Sequence, residues 1–125
     1  MKIIDVHGEL IAASLAAGTY TADAEGAGMD LQGYQGVSKV VLNSGAGGGT
    51  TPTLDAKIQD SADNSTFADV LGKVFTQVTG NASIQSLAID TRAVKRYIRA
   101  VLTITGTTSP TFGLAVTAVG QKQIM

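Results

Sequence analysis

The sequence predicts an all-β protein, folded as an antiparallel sandwich or a barrel. Three observations predict it: strand-forming runs with apolar residues at alternate positions, turn-forming residues at roughly every 8–12 positions, and no helical periodicity after residue 22. A parallel α/β fold would need helical segments of about 10–15 residues between strands. The length of 125 residues suits one domain, so we expect about eight short strands in a single domain covering 1–125.

The N-terminal part contains four strand candidates. Residues 2–7 form a first short strand. Residues 9–22 are ambiguous, because alanine and leucine favour a helix whereas the following Gly-Thr-Tyr-Thr favours a strand, and we predict a strand. A very short strand is expected at 29–31 and a clear one at 37–45. The glycine-rich segment 45–52 reads as a flexible loop.

The segment 53–61 has the strictest alternation in the chain. Leu54, Ala56 and Ile58 point one way and polar side chains point the other, as in an antiparallel strand with one solvent-exposed face. After a turn at 62–66, further strand candidates cover residues 67–72, 73–80, 83–90, 95–106 and 111–120. The inward positions predict a core of Val40, Leu42, Leu54, Ile58, Phe67, Leu87, Ile98, Leu102, Leu114 and Val116.

The composition excludes several classes of protein. There is no cysteine, which rules out disulfides and thiolate metal sites. A net charge of −1 lacks the basic excess of a nucleic-acid-binding protein. No apolar run approaches the ~20 residues of a membrane span, and the start lacks the positive charge of a signal peptide. Only 15% of residues are charged, which suits a surface partly covered by a neighbour.

The stretch LDAKIQDSADNSTFADV at 54–70 carries four aspartates and raises the question of a metal or carboxylate site. A calcium loop needs ligands at alternate positions, a central glycine and a distal glutamate. Here Ala62 occupies a ligand position, and neither the glycine nor the glutamate is present. We therefore predict a hairpin in which Asp63 and Asn64 shape the turn through side-chain to backbone bonds.

The remaining candidate sites also favour structural roles. The glycine loop at 45–49 has no lysine and leads to a strand, unlike a phosphate-binding loop. His7 is the only histidine, which disfavours both a metal site and a catalytic triad. The basic cluster of Arg92, Lys95, Arg96 and Arg99 predicts salt bridges to nearby acids or contact with an acidic partner. We predict no catalytic residue, no cofactor and no metal site.

Three segments together resemble small structural proteins of tailed bacteriophages. They are GMDLQGYQGVSKVVLNSG at 28–45, LDAKIQDSADNSTFADV at 54–70 and DTRAVKRYIRAVLTITGTTSPTFGLAVTAVG at 90–120. Proteins of this kind often have Asp-Asp-Gly in the hairpin, where this chain reads Ser61-Ala62-Asp63-Asn64-Ser65-Thr66-Phe67, so the turn type stays open. The resemblance implies a jelly-roll-like β-sandwich and a role as a capsid decoration, or cement, protein with no enzymatic residues.

The resemblance implies binding to the major capsid protein on the exterior of the virion, after synthesis in the host bacterial cytoplasm. A tail, head–tail joining or fibre-associated role and a carbohydrate-binding sandwich remain alternatives, and an enzyme is the weakest rival. We expect a dimer or trimer, with no nucleic-acid or membrane partner. The expected partner-binding segments are 1–9 and 121–125, with Ile3, Ile4 and Ile124 as anchors; residues 2–7 could equally be an edge strand.

Overall fold

The computed structural model describes the backbone of residues 9–122 and the side chains of residues 13–120. Ten strands lie in this part of the chain, and no helix does. They are β1 (Glu9–Tyr20), β2 (Ala24–Glu25), β3 (Met29–Asp30), β4 (Tyr34–Ser44), β5 (Gly48–Thr50), β6 (Thr53–Ser61), β7 (Ala68–Val74), β8 (Ser83–Asp90), β9 (Tyr97–Thr105) and β10 (Thr108–Lys122).

The strands form two antiparallel sheets that pack face to face. The first sheet has the order β1-β10-β4-β8, with β5 also pairing β10. The second has the order β2-β9-β6-β7, with β3 also pairing β9. The pairs β1–β10, β2–β9, β4–β8 and β6–β7 describe one long antiparallel ribbon rolled over on itself, with its tip at the β6–β7 turn. This is the jelly-roll arrangement, so the predicted β-sandwich is confirmed.

Several element boundaries differ from the sequence prediction. The ambiguous segment at 9–22 is a strand, as predicted, whereas the strand expected at 2–7 lies outside the described residues. The glycine loop is partly ordered, because it contains β5. The two strands expected at 67–80 are one strand, β7, followed by an irregular segment in which Leu54 and Val78 exchange backbone hydrogen bonds of 2.8 and 2.9 Å.

The core lies between the sheets and contains most of the predicted residues. Eight of the ten predicted positions are buried, and Phe67 and Leu87 are the two exceptions. Phe67 is half-buried because its ring packs on the outer face of the second sheet, against Arg99. Leu87 is half-buried because it lies on the edge strand β8, where it packs against the core from one side only.

A buried serine joins the two sheets at one edge. Ser14 of β1 donates through Oγ to the Ala27 carbonyl (2.9 Å) and accepts from the Ala100 amide (3.0 Å). The neighbouring Gly26 amide donates to the Ala100 carbonyl at 2.7 Å. A Cβ on Gly26 would overlap Ser14 Oγ, so this approach requires glycine. The insertion of Ser14 interrupts the edge of the second sheet between β2 and β3.

Candidate interaction surfaces

The described residues contain no cluster typical of metal chemistry. Among them, no three His, Cys, Asp or Glu side chains lie close enough to hold a metal ion. No helix in the same part of the chain is long and apolar enough to cross a membrane. The predicted absence of a catalytic, cofactor or metal site remains a prediction, since His7 lies outside the described residues.

The four aspartates of the segment 54–70 are distributed around the hairpin and do not converge. Asp63 Oδ1 accepts hydrogen bonds from the amides of Ser65 and Thr66, both at 2.9 Å, and from Ser61 Oγ at 2.8 Å. Asn64 adopts a φ of 60°, a left-handed conformation that asparagine tolerates better than most residues. The predicted turn shaped by Asp63 and Asn64 is therefore confirmed.

The turn stabilises the ionised form of Asp63. The amide of Thr66, the hydroxyl of Ser61 and the amide of Ser65 lower the pKa of the Asp63 carboxyl from 3.8 to about 2. Hydrogen bonds donated to a carboxylate favour its charged form, and here no cation is needed. The hydrogen bonds within the turn therefore account for the Asp63 carboxylate, and no bound ligand is needed to explain it.

The outer face of the second sheet carries a connected set of polar side chains, and we call it the network face. Its centre is Arg99, whose guanidinium donates to Gln59 Oε1 at 2.8 and 3.0 Å. The same guanidinium pairs with Glu25 at 3.2 Å and lies 4.0 Å from the centre of the Phe67 ring. The Arg99 side chain is only 18% exposed, so these contacts replace most of its hydration.

The network continues across β6 to β7. Gln59 Nε2 donates to Asp69 at 2.9 Å, and Lys57 pairs with the same carboxylate at 3.0 Å. The hydrogen bond from Gln59 and then that from Lys57 lower the pKa of Asp69 below its ordinary value. Five side chains from four strands are thus linked across this face: Glu25, Arg99, Gln59, Asp69 and Lys57.

The three arginines of the basic cluster form the salt bridges expected from the sequence. Arg92 pairs with Asp90 at 3.3 Å, and Arg96 pairs with Asp30 at 2.9 Å through two nitrogens. The Arg96 hydrogen bond lowers the pKa of Asp30. With Lys95, these arginines line a cleft that also includes Leu31 and Val94, but each of the two arginines is already paired with an aspartate. The cleft therefore lacks a strong positive field.

The outer face of the first sheet differs sharply in composition, and we call it the low-charge face. The strand registers place Ala13, Thr117, Val41 and Ser86 in one row. The flanking rows are Ala115, Asn43 and Ile84 on one side and Val119, Lys39 and Ala88 on the other. Among the described side chains of these rows, Lys39 is the only charged one.

Apolar groups are exposed on the low-charge face. Ile84 is 75% exposed and Val119 is 38% exposed. Covering this face would dehydrate methyl and hydroxyl groups and one ammonium, whereas covering the network face would dehydrate several carboxylates and cations. Dehydrating charges is far more costly. The low-charge face is therefore the better candidate for a broad contact.

The structure leaves the predicted anchor residues untested. Ile3, Ile4 and Ile124, like the segment 123–125 and most of 1–9, lie outside the described residues. Sequence reasoning noted a low charge overall but did not locate the low-charge face. The available signal was the lack of charge at alternate positions of 113–119 and 84–88, which becomes meaningful once these segments are known to be neighbours.

Comparison with known proteins is informative at the level of fold. The sequence matches neither a protein-family model nor a curated protein. VP2 of infectious bursal disease virus, in a subviral particle, superposes with a TM-score of 0.54 at 14% identity, over 91% of this chain and 32% of VP2. The SPBc2 prophage-derived protein YomS gives a TM-score of 0.51 at 7% identity, over 96% of this chain and 98% of YomS.

A slighter likeness, with a TM-score of 0.45 at 14% identity, is to the CBM22-1–GH10 modules of a Clostridium thermocellum xylanase complexed with xylohexaose. That match covers 94% of this chain and 27% of the xylanase chain, and it carries no argument. The chain spans about a third of VP2. This sandwich is thus a fold that also occurs in a protein of a subviral particle and in a prophage-derived protein.

Proposed function

We propose that this protein is a non-enzymatic structural component of a tailed-bacteriophage virion. In this proposal it binds the exterior of the icosahedral shell through contacts with the major capsid protein. The observation that carries the proposal is the low-charge face, a broad sheet surface with exposed Ile84 and Val119 and a single charged side chain among its described rows. The sequence resemblance and the viral occurrence of the fold support it.

The physical basis of such a role is preferential binding. A protein that binds only the assembled, expanded shell stabilises that state in proportion to the logarithm of its concentration over Kd. Interfaces are depleted of charge at their centre, as this face is. Many copies on a symmetric lattice reinforce one another through avidity, so each contact can be modest. The terminal segments with Ile3, Ile4 and Ile124 remain candidates for additional anchors.

The direct test is co-sedimentation of the purified chain with expanded capsids, followed by heating of decorated and bare particles. We expect binding and greater heat resistance. Thr117→Lys places a charge at the centre of the low-charge face and should weaken binding roughly tenfold or more. Thr103→Lys is the matched control, because Thr103 is exposed on the network face opposite Asp55.

Failure of the chain to bind capsids, together with equal heat resistance of particles lacking it, would refute the decoration role. A tail, head–tail joining or fibre-associated role would then become the best-supported hypothesis. Loss of binding in Thr103→Lys alone would assign the contact to the network face. A carbohydrate-binding role has little support, because two of the six aromatic residues of the chain are buried and the other four are half-buried, whereas sugar platforms use exposed rings.

A further inference from the structure

In the part of the chain that the structure describes, the two sheets have four outer edges, and three of these are interrupted. In β1 the register with β10 shifts twice, between Ala13 and Leu15 and again before Gly18. One edge of the second sheet is divided into two short strands, β2 and β3, by Ser14 of β1. In β7 the register with β6 shifts after Lys57. Bulges and breaks of this kind prevent the pairing of another strand.

The fourth edge, β8, has none of these features. Its eight residues pair with 37–44 of β4 without a register shift. The strand contains no proline and no lysine, and its only charge is Asp90 at the end. Within residues 9–122, no strand other than β4 pairs with β8. A regular, unprotected edge is a template for strand addition.

The orientation of the β8 backbone follows from the register. The Thr91 amide donates to the Gly36 carbonyl at 3.0 Å, and the same register continues through Ile89 opposite Ser38. Bonded and non-bonded pairs alternate along antiparallel strands. The backbone groups that point away from β4 therefore belong to Ile84, Ser86 and Ala88. Asp90 cannot extend the row, because its carbonyl already accepts the Ala93 amide at 2.9 Å.

We propose that β8 pairs with β8 of a second copy of this chain, antiparallel and centred on Ser86. The outward groups are distributed symmetrically around Ser86, so a two-fold axis there matches every donor to an acceptor. Three residues with one donor and one acceptor each would form about six hydrogen bonds between the copies. Ile84 of one copy would lie opposite Ala88 of the other, and Ser86 would face its own equivalent.

Charge and face orientation favour a second copy as the occupant. An antiparallel copy places the two Asp90 carboxylates at opposite ends of the pairing, roughly 25–30 Å apart. A two-fold axis perpendicular to the sheet also puts both low-charge faces on the same side, which doubles that surface. The pairing does not depend on the proposed capsid role, since it concerns the isolated chain.

The test combines sedimentation equilibrium with amide hydrogen exchange on the purified chain. We expect reversible dimerisation and slowed exchange at Ile84, Ser86 and Ala88 as concentration rises. Ser86→Lys puts two like charges at the axis and should raise the dimer Kd roughly tenfold or more. Ser86→Asp should do the same. Mixing the Ser86→Lys and Ser86→Asp chains should restore a heterodimer, detectable by native mass spectrometry.

Thr117→Lys, in the same sheet but away from the edge, is the control and should leave the dimer intact. Exchange at the three amides that is independent of concentration would overturn the proposal. So would a dimer that Thr117→Lys disrupts as strongly as Ser86→Lys does, because that dimer would use the low-charge face, to which both residues belong. Protection that appears only on capsids would identify a strand of the shell, rather than a second copy, as the occupant.

Discussion

In both the network face and the low-charge face, side chains alternate along each strand between the core and the outer surface. The outward side chains of the two faces nevertheless differ in what they contact. On the network face, Arg99, Gln59 and Asp69 bond one another across three strands. On the low-charge face, the rows centred on Thr117 and Asn43 are short side chains with little charge. The polar groups of the network face bond one another, whereas the low-charge face can be dehydrated at a low cost in free energy.

From this difference we expect the network face to stabilise the fold and the low-charge face to be free to bind a partner. Hydrogen bonds to charged groups contribute about 1.5–3 kcal/mol each when partly shielded, so the network face should hold the fold. Substitutions of exposed residues away from such contacts usually change stability by less than about 0.5 kcal/mol. The low-charge face can therefore be altered for a partner without harming the sandwich, and the following substitutions test that division.

The largest effect is expected from Arg99→Ala. It removes two hydrogen bonds to Gln59, the ion pair with Glu25 and the stack on Phe67. We expect a loss of about 2–3 kcal/mol in the free energy of unfolding, measured by chemical denaturation. Arg92→Ala is the control, because the Arg92 side chain is 84% exposed. Equal, small losses in both variants would show that the network does not stabilise the fold.

Phe67→Ala should have a smaller effect than a core phenylalanine would. A fully buried ring would cost about 3–5 kcal/mol to remove, but Phe67 is half-buried on the network face. We expect a loss of about 1–2 kcal/mol. A double-mutant cycle with Arg99→Ala should give a coupling of about 0.5–1 kcal/mol. Additive losses in that cycle would mean that the stack contributes nothing.

The success and failure of the sequence predictions have a common physical cause. Alternation within one strand, as at Leu54 and Ile58, predicts burial because the pleat fixes the faces locally. Phe67 was wrongly predicted to lie in the core, because the turn before it interrupts the alternation of inward and outward side chains. Its partner Arg99 is also distant in sequence. The low-charge face was missed for the same reason, since Thr117, Val41 and Ser86 meet only through the sheet register.

The hairpin tip predicts a dependence on acid pH. Because the folded-state pKa of Asp63 is lowered from 3.8 to about 2, its ionised form stabilises the fold above pH 3.8. This contribution is lost as the pH falls from 3.8 to about 2. Asp63→Asn keeps an acceptor oxygen but cannot titrate, so its melting temperature should fall less steeply over this range. Identical slopes for the two proteins would contradict the role of the turn.

The smallest change in stability is expected from Thr117→Lys on the low-charge face. Thr117 is half-buried by its neighbours in the sheet, and the aliphatic part of a lysine can cover the same surface while its ammonium reaches water. We expect the free energy of unfolding to change by less than about 0.5 kcal/mol. Capsid binding by the same variant should fall at least about tenfold, so that one substitution separates the two properties. A loss of stability as large as that of Arg99→Ala would instead mean that the low-charge face also holds the fold together, and the contrast between the two faces would fail.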